Sequence, residues 1–385
     1  MQSDFHYYAT YVAAWLAGYS SAECRDICYA DQLADRCTRS FLESVGAPPS
    51  AATTQSGIEM ANVRTDLLGR QDITRIWSSF HFLPADLDAQ PGKGGRAYRE
   101  KYALICGPNG QLVADLVERA KGQDLPSVGL TLHTLADTWA HSYFAGTPSF
   151  VINNAPDSAV ELVTGPEGTL ERPITFRLSI EPDDLDRSRY TNTPLQAYEN
   201  TIINLGHGRC GHLPDYSFAR YRFRPAWGNY AEILKDNPRD YYLAFCQMVY
   251  AMRYLRGEHA TFELGRYDED VVAPHRDEIM RILTVRRLKA SEDWCALAER
   301  LCGEPIPEFD IRRCADEYTA ASPDEREGTF LGEYVLAALA QKSLVTHAIY
   351  GSGNRLAGRS IEYDGNRFQG IIDYIGLTRR GRSHG

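Results

Sequence analysis

Residues 128–144 read VGLTLHTLADTWAHSYF, an apolar stretch with His133, Asp137 and His141 at intervals of four. At about 100° per residue in an α-helix, steps of four place the three side chains within about 80° of arc, on one face. At a rise of about 1.5 Å per residue, the two histidines stand about 12 Å apart along the axis. That is too far to share one metal ion. It suits the binding of two, with Asp137 between them as a bridging carboxylate.

Hydrogen-bonded core residues are the alternative interpretation of this face. Each buried polar side chain would then cost about 1–3 kcal/mol if its partners were imperfect. Three such costs on one buried helix face favour the metal-binding interpretation.

Helical periodicity dominates the rest of the chain. It covers residues 5–18, 21–44, 56–70 and 110–120, and it resumes near Leu195. Between 146 and 193, frequent Pro, Gly, Asn and Asp and the strand-like runs AVELVTG and ITFRLSI predict a loop and small β insertion. We therefore predict a mainly α fold: a multi-helix metal-binding core over 1–227 with the insertion at about 146–193, a C-terminal helical region over 228–378 packed on the core, and a disordered tail over 379–385.

Composition narrows the classes of function. The 385 residues carry a net charge of −10, which argues against a broad nucleic-acid-binding surface. The longest apolar stretch, residues 7–19, is shorter than the roughly 20 residues of a spanning helix, and no Lys/Arg-rich leader precedes it. An odd count of 9 cysteines without a CxxC pair predicts free thiols. We expect a cytoplasmic protein without a transmembrane segment.

Further candidate ligands lie upstream of the apolar helix. Asp4 and His6 directly precede another apolar helix in DFHYYATYVAA. Asp31 and Asp35 are four residues apart on the second predicted helix, and Asp31 is expected to be a solvent-facing charge rather than a hydrogen-bond partner of a ligand. His81 stands between aromatic residues in FHFLP.

The order of these motifs resembles the zinc-dependent phospholipase C and single-strand-specific nuclease superfamily. The matching segments are FHYYATYVAA, LADRCTR, FHFLP and HTLAD, and the resemblance extends over about residues 4–215 to the segment LGHGRCGHLPD. It implies a mainly helical fold around a three-zinc cluster that hydrolyses phosphodiesters. Residue 1 is Met, where the family has a terminal Trp whose amine binds metal. The third metal would therefore take Asp4 or the Met1 amine.

The resemblance also implies which residues bind each ion. Asp35, His81, His133 and Asp137 would hold the first zinc; His141, Asp215 and one of His207 and His212 would hold the second; His6 and Asp137 would hold part of the third. We predict Asp137 and Asp35 as the catalytic residues.

These ligands predict a metal-dependent hydrolase of a phosphoric ester, with a metal-bridging hydroxide as the nucleophile. The substrate would be a small-molecule or lipid head-group phosphate. Three divalent ions with Asp4, Asp35, Asp137 and Asp215 leave a charge of about +2, which a phosphodiester and a hydroxide would neutralise. We expect two to three ions, zinc before iron or manganese.

Two alternatives keep the metal ions. The same cluster would serve amide hydrolysis or iron-dependent oxidation, or it would stabilise a binding protein. Closed structural zinc sites are usually rich in cysteine, so His and Asp ligands favour an enzyme with open positions.

Overall fold

The computed structural model describes residues 1–62, 67–154, 159–165, 168–228, 231–358, 363–364 and 367–368. The fold is mainly α, as predicted. A π-helix at Asp4–Ala9 precedes α1 (Thr10–Leu16), α2 (Ser21–Leu33), α3 (Arg39–Val45), α4 (Gly57–Ala61), α5 (Leu67–Phe80), α6 (Arg96–Tyr102), α7 (Gln111–Ala120), α8 (Leu125–Ala140), α9 (Phe150–Asn153), α10 (Asn237–Leu255), α11 (Glu269–Val272), α12 (Arg276–Thr284), α13 (Ser291–Cys302), α14 (Arg312–Ala320) and α15 (Phe330–Gly351). The predicted tail over 379–385 lies outside the described residues.

The strands are β1 (Val160–Gly165), β2 (Gly168–Pro173), β3 (Thr175–Arg177), β4 (Arg189–Thr191), β5 (Arg220–Phe223), β6 (Ile233–Asp236), β7 (Tyr363–Asp364) and β8 (Arg367–Phe368). They form a small antiparallel sheet in the order β2-β1-β5-β6, a parallel pair β3-β4 and an antiparallel pair β7-β8. The insertion predicted over about 146–193 contains β1 to β4, whereas β5 and β6 lie beyond its predicted end. The expectation of a helix from near Leu195 was wrong. Short 3₁₀ turns and strands occupy the described parts of 202–228 and 231–236, and Gly206, Gly208, Gly211 and Pro214 interrupt any α-helix over 206–214.

Helix α8 is the centre of the core. Every residue from Val128 to Ala140 is buried, and the helix packs against α2, α5, α7, α10 and α15. A helix that is buried on all sides needs apolar residues all round, which the sequence supplies. Asp124 caps its N-terminus by accepting a hydrogen bond of 2.7 Å from the backbone N–H of Ser127. The polar side chains on α8 are therefore held in a rigid, water-poor environment.

Helix α2 lies very close to α8 because Gly129 has no side chain. A Cβ atom there would lie 2.3 Å from the backbone oxygen of Ile27 and 2.6 Å from Cβ of Ala30. The predicted cap of α2 is confirmed, since Ser20 and Glu23 form a reciprocal capping box. The long helix predicted over 21–44 divides into α2 and α3. The close packing brings the C-terminal half of α2 beside the polar face of α8.

The N-terminal segment and the C-terminal helices complete the core. Phe5, on the π-helix, packs edge-on against Tyr241 of α10 with ring centroids 4.9 Å apart. It also packs against Trp294 of α13. All nine cysteines lie in the described part of the chain, and none of them forms a disulfide, as predicted. Within the described residues, no helix has the length and apolarity needed to cross a membrane.

Candidate metal centre

The predicted ligands converge on one buried cluster around Asp137. His133 and Asp137 project from α8, and His141 follows directly as its C-cap residue. Nine of the ten predicted ligands contact the cluster: His6, Asp35, His81, His133, Asp137, His141, His207, His212 and Asp215. The exception is Asp4.

The first metal position lies between Asp35, His81, His133 and Asp137. Nδ1 of His81 and Nε2 of His133 are 3.2 Å apart. Oδ2 of Asp137 lies 3.2 Å from the former and 3.3 Å from the latter. Oδ1 of Asp35 lies 3.8 Å and 3.9 Å from the same two nitrogens. Ligands at about 2.0–2.1 Å from a tetrahedral zinc ion are separated by about 3.3–3.4 Å. The distances among His81, His133 and Asp137 match this separation, and the two distances from Asp35 exceed it.

The second position contains His141, His207 and Asp215. Oδ1 of Asp215 lies 3.1 Å from Nε2 of His141 and 3.4 Å from Nε2 of His207. His212 contacts the other oxygen of Asp215, with Nδ1 at 3.1 Å from Oδ2, and its side chain is 55% exposed. The geometry therefore favours His207 over His212 as the ligand.

The third position lies on the opposite oxygen of Asp137. Oδ1 of Asp137 accepts a hydrogen bond of 2.7 Å from the amine of Met1 and lies 3.1 Å from Nε2 of His6. Of the two groups predicted for this position, the Met1 amine lies beside Asp137 and Asp4 does not. The amine is also 3.4 Å from Nε2 of His141, so the three positions adjoin one another.

Asp4 does not join the cluster. Its Oδ2 accepts a hydrogen bond of 2.8 Å from the backbone N–H of Ala290, and no candidate metal group among the described residues includes it. Residues two apart on a helix point to nearly opposite sides, so Asp4 faces away from the cluster when His6 faces toward it. The prediction of Asp4 as a ligand is not supported.

Three histidines direct one ring nitrogen toward the cluster and have the other nitrogen hydrogen-bonded to a backbone carbonyl. His81 bonds through Nε2 to the carbonyl of Thr53 at 3.0 Å, His141 through Nδ1 to the carbonyl of His81 at 2.7 Å, and His207 through Nδ1 to the carbonyl of Gly211 at 2.7 Å. A carbonyl only accepts, so the anchored nitrogen carries a proton, and the other nitrogen faces the cluster, where a neutral ring would offer a lone pair. Metal-binding histidines have this arrangement.

Asp31 anchors the remaining two histidines, His6 and His133. The expectation that its carboxylate faces solvent was wrong, because the side chain is completely buried between α2 and α8. Its Oδ1 lies 2.8 Å from Nδ1 of His6 and 3.0 Å from Nδ1 of His133. Spacing alone does not separate Asp31 from Asp35, since Asp31 lies in the last turn of α2 and Asp35 follows two residues after its end. The only sequence signal for its role is its position one helical turn before Asp35.

The pKa shifts of the groups in the cluster are those expected of a site that binds cations. Burial alone would raise the pKa of Asp137, but His141, the Met1 amine and His133 outweigh it and hold the pKa well below its usual range. Burial lowers the pKa of His207 to about 4, so this ring is neutral near pH 7. Burial opposes the charge of the Met1 amine, yet the carboxylates of Asp137 and Asp215 raise its pKa to about 11. Without metal, protonated groups compensate the ionised carboxylates.

The cluster is reached from solvent on one side. Asp35 has 32% of its side chain exposed and His207 16%, whereas Asp137 and His133 are completely buried. A cavity of about 900 Å³ lies elsewhere, between α5 and α15, and no residue of the cluster lines it. The solvent-accessible residues of the cluster are therefore Asp35, His207 and His212.

A model of a protein family of unknown function, DUF6765, matches residues 1–349. The chain belongs to this family. The match includes every residue of the cluster and ends within α15 of this DUF6765 protein. No curated protein and no solved structure matches the chain.

Proposed function

We propose that this DUF6765 protein is a metal-dependent hydrolase of phosphoric esters. The observation that carries the proposal is the orientation of five histidines. Each has one ring nitrogen on a protein oxygen and directs the other toward the carboxylates around Asp137. In His81 the inward nitrogen is a lone-pair acceptor that faces a carboxylate oxygen at 3.2 Å. Two acceptors at that distance repel unless a positive group compensates them, either a metal ion or the protonated Nε2–H of His133, which lies 3.2 Å from Nδ1 of His81 and whose pKa is raised to about 10.

The donor set fits zinc or a similar divalent ion. Nitrogen and carboxylate ligands without cysteine are typical of zinc sites that keep an open position for substrate. Such ions would supply Lewis-acid stabilisation of phosphoryl oxygens and a hydroxide nucleophile near neutral pH. The order of the ligands along the chain also resembles the zinc-dependent phospholipase C and nuclease superfamily, which supports phosphodiester chemistry.

The net charge of the carboxylates and the proposed metal ions is consistent with a phosphate substrate. Four carboxylates lie in the cluster, and Asp31 replaces the predicted Asp4: Asp31, Asp35, Asp137 and Asp215. Against three divalent ions they leave about +2, which favours an anionic phosphodiester.

Individual residues of the chain would have the following roles. Asp137 would hold an ion at the first position through Oδ2 and one at the third through Oδ1. Asp35 would be a further ligand of the first position. The exposed ring of His212, whose Nδ1 contacts Asp215, would donate a hydrogen bond to an incoming phosphoryl oxygen.

Hydrolysis of bis(p-nitrophenyl) phosphate by the full chain tests the proposal. We expect activity that is lost on chelation and restored by zinc or another divalent ion. Asp137→Asn should lower the rate by about a hundredfold or more, because metal ions contribute several kcal/mol to such reactions. Asp268→Asn changes a buried carboxylate outside the cluster and should retain activity. Full activity after verified metal removal would contradict the proposal. Amide hydrolysis without phosphodiester hydrolysis would favour the alternative chemistry.

A further inference from the structure

Asp31 contacts two histidines of the cluster with a single oxygen atom. That atom, Oδ1, lies within 3.0 Å of Nδ1 in both His6 and His133. The other oxygen, Oδ2, accepts a hydrogen bond of 2.6 Å from the hydroxyl of Thr10. The carboxylate is fully buried, so water does not compete for these contacts. One atom is therefore in contact with both imidazoles, as hydrogen-bond acceptor for His133 and as ion-pair partner for His6.

The two imidazoles form a stacked unit. The ring centroids of His6 and His133 are 3.9 Å apart, and the ring planes differ by 23°. At the far ends, Nε2 of His6 lies 3.1 Å from Oδ1 of Asp137, while Nε2 of His133 lies 3.3 Å from Oδ2. The pair thus joins one oxygen of Asp31 to the two different oxygens of Asp137, which serve the third and first positions.

We infer that Asp31 is a positioning residue that couples metal binding at the first and third positions. The inference rests on the metal binding in the proposed function and not on the hydrolysis. A cation on Nε2 polarises the ring and strengthens the attraction between Nδ1–H and the Asp31 carboxylate, which is a hydrogen bond of 3.0 Å in His133 and an ion-pair contact of 2.8 Å in His6. The carboxylate is then fixed, and it holds the other ring in its binding orientation. The second ion consequently loses less conformational entropy when it binds.

The second position provides an internal reference. Its histidines, His141 and His207, are anchored by the backbone carbonyls of His81 and Gly211 and not by Asp31. Loss of the Asp31 carboxylate should therefore affect two positions and leave the second intact. A general structural defect would weaken all three.

The test is a cadmium titration of the metal-free full chain, followed by cadmium NMR, in which each bound ion gives its own resonance. In the wild-type protein, the first and third positions should fill over the same range of free cadmium. Asp31→Ala should weaken both by about 10–100-fold, the usual effect of losing a hydrogen-bond partner of a ligand. The second position should change by less than about threefold. Asp31→Asn retains one acceptor oxygen and should give a smaller loss.

A matched control is Asp268→Ala. Oδ2 of Asp268 lies 2.9 Å from Nε2 of His259, so this is also a buried aspartate paired with a histidine, although the histidine is partly exposed and the pair lies outside the cluster. It should leave every cadmium resonance unchanged. If Asp31→Ala does not fold, Thr10→Val removes the donor to Oδ2 and should weaken the same two positions to a lesser degree.

Two results would overturn the coupling. One is a loss at only the first or only the third position, which would show that Asp31 serves a single ligand. The other is an equal loss at all three positions, which would show a general structural effect. Absence of bound cadmium in the wild-type protein would instead reject the metal centre itself and, with it, the proposed function.

Discussion

Oδ2 of Asp137 lies 3.2 Å from Nδ1 of His81, although 56 residues separate them. The other nitrogen of His81 is hydrogen-bonded to the carbonyl of Thr53, so the contact joins a lone pair to a carboxylate. Burial also lowers the pKa of His81, which favours the neutral ring. A metal ion between the two atoms would turn this repulsion into two coordinate bonds.

The first prediction is that protein purified without added metal contains two to three transition-metal ions per chain. Their removal should lower the melting temperature, because buried carboxylates then repel one another. A ligand present at 1,000 times its Kd stabilises a fold by about 4 kcal/mol. Elemental analysis and thermal unfolding with and without chelator measure both effects. A metal-free protein with unchanged stability would reject the metal centre.

Asp137→Asn should lower occupancy at more than one position, because Asp137 faces two positions with different oxygens. A neutral amide also leaves about one unit of positive charge uncompensated. His141→Ala should remove one ion only. Metal content of the two variants separates a shared cluster from independent sites. If each variant lost the same single ion, Asp137 would not be a bridge.

His207→Ala and His212→Ala should differ in metal content. His207 directs Nε2 toward the second position, whereas His212 contacts only the outer oxygen of Asp215. The first substitution should remove one ion, and the second should retain all of them while it slows phosphodiester hydrolysis. The opposite pattern in elemental analysis would make His212 the ligand.

Joining a short peptide to the amine of Met1 should remove the ion at the third position. The amine lies 2.7 Å from Oδ1 of Asp137, and an amide nitrogen in its place lacks the lone pair that a metal requires. Comparing chains with and without a Gly-Ser extension, by elemental analysis, measures the effect. Equal metal content in both would exclude the amine as a ligand.

Gly129→Ala should lower the free energy of unfolding by about 1–3 kcal/mol or more. The added Cβ would lie 2.3 Å from the backbone oxygen of Ile27, so α2 and α8 must separate. Gly57→Ala, at a position with no neighbour within 4 Å, is the control and should change stability by less than about 0.5 kcal/mol. Denaturant unfolding compares the two variants, and equal stabilities would show that the helix contact is adaptable.

The helical fold and much of the candidate cluster could be predicted from the sequence. Helical periodicity marks α8 as buried, and the spacing of His133, Asp137 and His141 places them on one face because an α-helix turns by about 100° per residue. Both signals arise within one helix, so they do not depend on contacts with distant parts of the chain. The resemblance extended the set to His6, Asp35 and His81.

Only the tertiary structure decided between residues whose local sequence is equivalent. Asp31 and Asp35 both lie near the end of α2, yet the close approach at Gly129 buries Asp31 behind the histidines and leaves Asp35 at the solvent side. His207 and His212 are separated only by the turn at Gly211, whose carbonyl orients the first ring. Burial and orientation depend on which distant segments pack together. The sequence determined the donors and their faces, whereas packing determined which atom each donor presents to the cluster.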